Sequence, residues 1–503
     1  MKKRKELVFI IICLFGMIGQ GAGQSTKIKH RTIITTDGEV DDQDSFIRFL
    51  LYTNEFDVAG LVYSSSQWHY AGDGKGTAYR SEMEMTSKRY GERTELRWPG
   101  TEWMQHFIGL YGKVYDNLLK HDKGYPSPGD LLSKVKVGNI IFEGDMSTPT
   151  EGSDFIKNVL LDERNDPVYL QIWGGTNTVA RALKSIEEEY KRTPEWNSIY
   201  AKVSAKAVLY AVLDQDATYR NYVAPSWPEI KVIYNSNQFW CFAYPWPKVV
   251  PQRLQSYLRG PWFTKNITQN HGPLLAGYFL YGDGQTIPGD PEHTHGSPAE
   301  AKKIGFGQYD FISEGDSPAY FYLLDVGLRS LEDASYGGWG GRFNQSEKNA
   351  YRWEDGEASA DFNPYTNKMD ASYSQTRWVD VLQNDFAARA DWCVTEYNAA
   401  NHAPVVSVSH PLDLNVKPGQ TVLLNGTAKD PDNNSLNYKW WQYEEPGTHK
   451  GKISIMNSEK ADASFVVPQS ARPGSTIHII FEVTDNGTPG LTRYQRVIAT
   501  VAN

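Results

Sequence analysis

The sequence predicts an α/β domain, built on a mainly parallel sheet with flanking helices, followed by an all-β sandwich. Two observations carry this reading. Over residues 31–329 short β-branched runs alternate with segments at helical spacing, whereas from Ala403 onward only short strands separated by turn residues remain. At 503 residues the chain is also longer than one core usually organises. It divides into a leader at 1–23, an α/β domain at 24–400 carrying an appended helical and loop region, and a sandwich at 401–503.

The leader opens with Lys2, Lys3, Arg4 and Lys5, continues as an apolar run over 7–18, and ends on the small residues Gly21-Ala22-Gly23. That order is the pattern of an export signal, and the run is too short for a bilayer, which takes about 20 residues. The expectation is a secreted or periplasmic protein without a membrane span. Cys13 would leave with the leader. Cys241 and Cys393 remain, and the sequence does not decide whether they pair.

Strand and helix then alternate. Residues 32–35 form a β-branched run, and Phe46, Ile47, Phe49 and Leu50 follow at helical spacing. Further strands are expected at 56–63, 168–173, 207–213 and 230–234, with one helical face on Val179, Leu183, Ile186 and Tyr190. Such alternation implies right-handed crossovers, and chemistry then collects at the carboxyl ends of the strands. Residues 281–311 read as a long functional or disordered loop, and 330–400 as an appendage wrapping the first domain. Beyond it, strands are expected at 405–408, 421–424, 436–441, 464–467 and 477–481.

Composition narrows function. Lys+Arg 51 against Asp+Glu 60 gives a net charge of −9, which argues against a nucleic-acid partner. Trp 15 and Tyr 30 lift aromatics to 13%, a richness that serves either sugar or base stacking or a dense core.

The segment Asp37-Gly38-Glu39-Val40-Asp41-Asp42 places four acids at a strand-to-helix junction. One carboxylate near a helix N-terminus is ordinary, but four repel one another unless a cation neutralises them. Oxygen donors point to a hard ion, and a site that also borrows carbonyl and substrate oxygens suits Ca2+ better than Mg2+. A solvated acidic turn capping the helix is the plainer alternative.

This segment resembles the calcium-binding signature of nucleoside hydrolases. Gly174-Gly175-Thr176-Asn177 resembles that family's threonine-asparagine turn, and Gly315-Asp316-Ser317-Pro318-Ala319 its late aspartate segment. The likeness covers 31–329 and is strongest to a secreted branch with an immunoglobulin-like C-terminal sandwich, associated with cellulose or polysaccharide binding. It implies a nucleoside-hydrolase-like sheet, with calcium held by Asp37, Asp42, Asp316 and the Thr176 carbonyl, and Asp37 as the catalytic base. Asp41, Glu39 and Asn177 would meet the sugar. Trp68 and His69, at the carboxyl end of the second strand, are further candidate substrate contacts.

Departures from the pattern matter equally. Gly315 stands where the family has a histidine that helps protonate the leaving base, and Thr35 replaces the first aspartate. A purine or pyrimidine nucleoside is therefore an unsafe guess for the substrate. Within Asp290-Pro291-Glu292-His293-Thr294-His295, His293 or His295 could supply a replacement acid, a zinc-ligand pair or a surface turn. Trp173 could stack on a sugar or pack. In the sandwich, strand alternation turns one of Trp440 and Trp441 inward, leaving the other for polysaccharide or a domain contact. Asp430-Pro431-Asp432 and Asp485-Asn486-Gly487 resemble turns of polycystic-kidney-disease-type and cadherin-like modules. The expected function is a calcium-dependent hydrolase of an N- or O-glycosidic bond acting on a small sugar, a nucleoside-like compound or an oligosaccharide. The alternative is a non-catalytic cellulose- or polysaccharide-binding protein that keeps the metal site.

Overall fold

The computed structural model describes residues 29–502; the expected leader at 1–23 lies outside them. Eight strands form the main sheet: β1 (His30–Thr36), β2 (Phe56–Tyr63), β3 (Val135–Val137), β4 (Val168–Ile172), β5 (Ala207–Val212), β6 (Lys231–Asn235), β7 (Asn344–Gln345) and β8 (Arg352–Glu354), in the order β3-β2-β1-β4-β5-β6-β8-β7. All neighbours are parallel except β8 and β7. Adjacent residues of β1 show why these runs are strands. Ile33 packs with Leu170 and Val179 on one face, and Ile34 with Phe46 and Phe49 on the other. A strand apolar on both faces is the mark of a parallel sheet covered on both sides.

The covering helices include α1 (Val40–Leu50), α2 (Trp103–Gly112), α3 (Glu151–Leu161), α4 (Asn177–Tyr190), α5 (Trp196–Lys206), α6 (Ser317–Phe321) and α7 (Val379–Trp392). Residues 330–400 are more than a wrapping appendage: they supply β7 and β8 to the main sheet, and α7 enters the core shared with α1. There the fully buried Arg48 donates to the Leu382 carbonyl at 2.7 Å and to Gln383 at 2.8 Å. A polar anchor of this kind leaves no apolar periodicity to read. The 281–311 stretch is likewise built, with short helices at Pro291–Thr294 and Pro298–Lys303.

The C-terminal unit contains β9 (Val405–Val408), β10 (Asp413–Val416), β11 (Thr421–Lys429), β12 (Leu436–Gln442), β13 (Ile455–Met456), β14 (Asp462–Val466), β15 (Thr476–Asp485) and β16 (Thr492–Val501). They form two four-stranded sheets, β9-β11-β14-β13 and β10-β16-β15-β12. Trp440 faces their common core, while Trp441 lies against Trp378 at 6.3 Å and under the Arg377 guanidinium, so the outward ring is a domain contact. Backbone bonds join the units directly: Tyr494 N–H donates to Val326 O and Arg496 N–H to Gly327 O, each at 3.0 Å. Cys241 and Cys393 are buried and free. Among the described residues no helix is long and apolar enough to cross a membrane.

Candidate functional site

Strand order reverses at β1, with β2 on one side and β4 on the other, so the loops leaving β1 and β4 diverge and open a crevice at the carboxyl edge. Asp37, Gly38 and Glu39 turn from β1 into α1, whose first turn carries Asp41 and Asp42. Asp316 arrives from the far end of the domain as the N-cap of α6. Asp41, Asp42 and Asp316 each present a carboxylate oxygen within 4.8 Å of the others. They lie in a cavity of about 200 Å³ walled by Trp68, Trp173, Phe239, Trp240 and Tyr244. That is smaller than a pocket for a drug-sized ligand and on the scale of one sugar unit.

Asp42, Asp41 and Asp37 are each held by a neighbour. Asp42 accepts a hydrogen bond from the Thr36 hydroxyl. Asp41 accepts from Tyr244 at 3.4 Å and from Ser313 at 3.3 Å. Asp37 packs on the backbone of Gly174, where an added Cβ would stand 2.8 Å from its Cγ. Its Oδ2 is buried without a hydrogen-bond partner, as is the Thr176 hydroxyl, whereas the Thr176 carbonyl accepts the Ala180 N–H. Burial, reinforced by the neighbouring carboxylates, pushes Asp42 and Asp316 well above the usual carboxylate range. Asp41 is raised to about 8, by burial first and then by Glu39 and Asp37. The crowded, buried, oxygen-only donors of Asp41, Asp42 and Asp316 fit a hard divalent cation, whereas Asp37 stands outside that trio and off the cavity lining, its Oδ2 3.6 Å from His69 Nδ1.

Beside this group lies a neutralised one. Arg97 grips Asp290 through two parallel bonds of 2.9 and 2.7 Å. His293 Nδ1 stands 2.9 Å from Glu39, which also accepts from Tyr244 at 2.8 Å. Burial alone would raise Glu39, but His293, His69 and Arg97 bring it down to about 2. Burial would lower His69, but Asp290, Asp37 and Glu39 push it up to about 9. One end of the crevice therefore carries its own counter-charges, and the Asp41, Asp42 and Asp316 end does not.

Two expected sugar contacts lie off the cavity wall. His69 is fully buried behind the carboxylates, with Nε2 3.2 Å from Asp290 and Nδ1 3.6 Å from Asp37, and does not line the cavity. Asn177 is also fully buried. Its amide donates to Ser65 and to the Asn139 carbonyl, each at 2.9 Å, so it ties loops together beneath the site. Glu39, Asp41 and Trp68 do line the cavity, as do Trp173 and His293, whereas His295 packs beside Tyr281 at 5.9 Å. Sequence reasoning missed Arg97, Phe239, Trp240 and Tyr244. The last three follow β6, so the carboxyl-edge rule could have found them; nothing local marks Arg97.

Residues 31–343 match the family model described as cellulose-binding Sde182, nucleoside hydrolase-like domain. Residues 421–501 match cellulose-binding protein Sde0182, C-terminal domain. A solved nucleoside hydrolase-related hypothetical protein from Saccharophagus degradans, associated with carbohydrate metabolism, is 26% identical. The match covers 94% of this chain and 100% of that one, with a TM-score of 0.69. A plant nucleoside hydrolase, the PpNRh1 enzyme, is 11% identical over 72% of this chain and 100% of its own, at a TM-score of 0.33 that is too low to argue from. No curated protein matches the sequence. With a family model spanning more than half of its length and a second covering β11 to β16 of its sandwich, the chain belongs to the cellulose-binding Sde182 family, with a nucleoside hydrolase-like domain.

Proposed function

We propose that the crevice binds the end of a polysaccharide or oligosaccharide with the help of calcium and hydrolyses its glycosidic bond, in a protein exported by its 1–23 leader. The supporting observation is the convergence of Asp41, Asp42 and Asp316 at the floor of an aromatic-walled cavity of single-sugar size. Asp37, Asp42, Asp316 and the Thr176 carbonyl would hold the ion, with Asp41 reaching the same place. When bound, calcium supplies a positive anchor for a pair of adjacent sugar hydroxyls. Asp37 takes the proton of the attacking water as general base. The surrounding carboxylates stabilise positive charge developing at the anomeric carbon. His293, held between Glu39 and Asp290 at the cavity wall, donates a proton to the departing oxygen. The aromatic walls stack on the sugar face.

Gly315 supports a second reading, binding without turnover, because the residue that would protonate a nucleobase in the resembling family is absent. The two separate in one experiment. Calorimetry with cello-oligosaccharides, with and without chelator, is run beside release assays on p-nitrophenyl glycosides and ribosides. Calcium-dependent binding with release supports the hydrolase. Binding without release from any activated substrate leaves a carbohydrate-binding protein, and chelator-insensitive behaviour in both assays overturns the metal-assisted site.

A further inference from the structure

Away from the crevice, a pair of imidazoles faces one another where the α/β domain meets the sandwich. His121 ends the short helix Tyr115–His121, and His402 lies in the connection to β9. His121 Nδ1 and His402 Nε2 are 3.0 Å apart. The outer nitrogen of each ring has a partner that only accepts. His121 Nε2 meets the Thr395 carbonyl at 3.0 Å, and His402 Nδ1 meets the Asp432 carboxylate at 3.0 Å. Asp432 also accepts the His402 backbone N–H at 2.6 Å. Both outer nitrogens must therefore carry hydrogen. Were both rings neutral, their inner nitrogens would point lone pair at lone pair.

We propose that one proton is shared between His121 and His402 and latches the sandwich to the α/β domain. Burial, with Lys120 nearby, lowers His121, but Asp432 faces the pair and aromatic rings cover both imidazoles, Trp392 stacking on His121 at 5.2 Å and Tyr397 on His402 at 4.0 Å. Distance decides between a proton and a metal. Two nitrogens 3.0 Å apart match an N–H···N bond, whereas tetrahedral zinc with bonds of about 2.0–2.1 Å holds its ligands roughly 3.3 Å apart. No third donor side chain joins the two among the described residues. The other charged groups here are Lys120, paired with Glu396 on the His121 side, and Asp430, on the Asp432 turn.

The latch holds when the pair carries one proton. A second proton sets two cations face to face, and loss of the first restores the lone-pair clash, so closure passes through a maximum with pH. The test is amide hydrogen exchange of the His402 segment in the full chain, referenced to the unstructured rate at each pH. Protection should peak at one pH and fall roughly tenfold on either side. His121→Asn and His402→Asn should each flatten the profile, and the double variant should be no worse than either. In ring-15N-histidine-labelled wild-type protein, one downfield N–H signal should appear that either variant removes. A flat or one-sided profile, additive variants, or bare inner nitrogens at every pH would overturn the proposal. So would micromolar one-to-one binding of Zn2+ that either variant abolishes, because the site would then be a metal site.

Discussion

Asp41 Oδ2 lies 2.7 Å from the point where a Cβ on residue 315 would stand. The carboxylate thus occupies the space that a side chain at this position would need. Gly315→Ala should push Asp41 out of the trio and weaken calcium-dependent sugar binding at least about tenfold, an effect of roughly 1.4 kcal/mol. Calorimetry on the folded variant checks it, and unchanged affinity would remove Asp41 from the site.

Calcium should stabilise the protein. A cation held only by the folded carboxylate site would, at a hundredfold excess over Kd, contribute about 2.7 kcal/mol. The melting temperature should rise with calcium and fall with chelator, and Asp316→Asn should abolish most of that difference. A wild-type melting temperature indifferent to chelator would count against the ion.

Arg97 is the counter-charge for Asp290 and, at 3.5 Å, for Glu39. Arg97→Met leaves Glu39 and Asp290 with only His69 and His293 as counter-charges, so the loss should approach but not exceed the about 3–5 kcal/mol that breaking a buried pair costs. Chemical unfolding should show this loss, and adding Asp290→Asn to the same chain should recover part of it.

His478 gives the stability a pH dependence of known sign. Burial, with Arg496 and Arg329 beside it, lowers this imidazole to about 3. Between its ordinary value near 6.5 and about 3, the unfolded chain therefore takes up a proton that the folded chain refuses. The His478 contribution is undiminished above pH 6.5 and falls as pH drops through that window, by up to about 1.4 kcal/mol per pH unit. His478→Gln should flatten the slope of unfolding midpoints between pH 6 and 4 if the variant stays folded.

Much of the architecture was legible because apolar patterning is local. Ile33 and Ile34 on opposite faces, or the spacing of Val179, Leu183 and Ile186, announce a parallel sheet and its helices. The carboxylates were legible for a related reason: acids grouped at a strand end have few structural excuses. What stayed hidden was set by distant partners. Asn177 and His69 look like ligand contacts until Ser65, Asn139, Asp290 and Asp37 are seen to claim them. Arg97 has no local pattern at all, since its role exists only once the 281–311 segment folds back with Asp290. The strands at 413–416 and 492–501 were missed as well, the latter because charged residues interrupt its alternation.

The backbone seam between β16 and residues 326–328 has an evolutionary corollary. Arg496 also donates to the carbonyls of Leu328, Tyr336 and Gly337, so the two units are grafted rather than strung together. A terminal module moved onto an unrelated partner would leave these carbonyls and the Arg496 guanidinium without their bonds, so a substitution at the seam acts on both units at once.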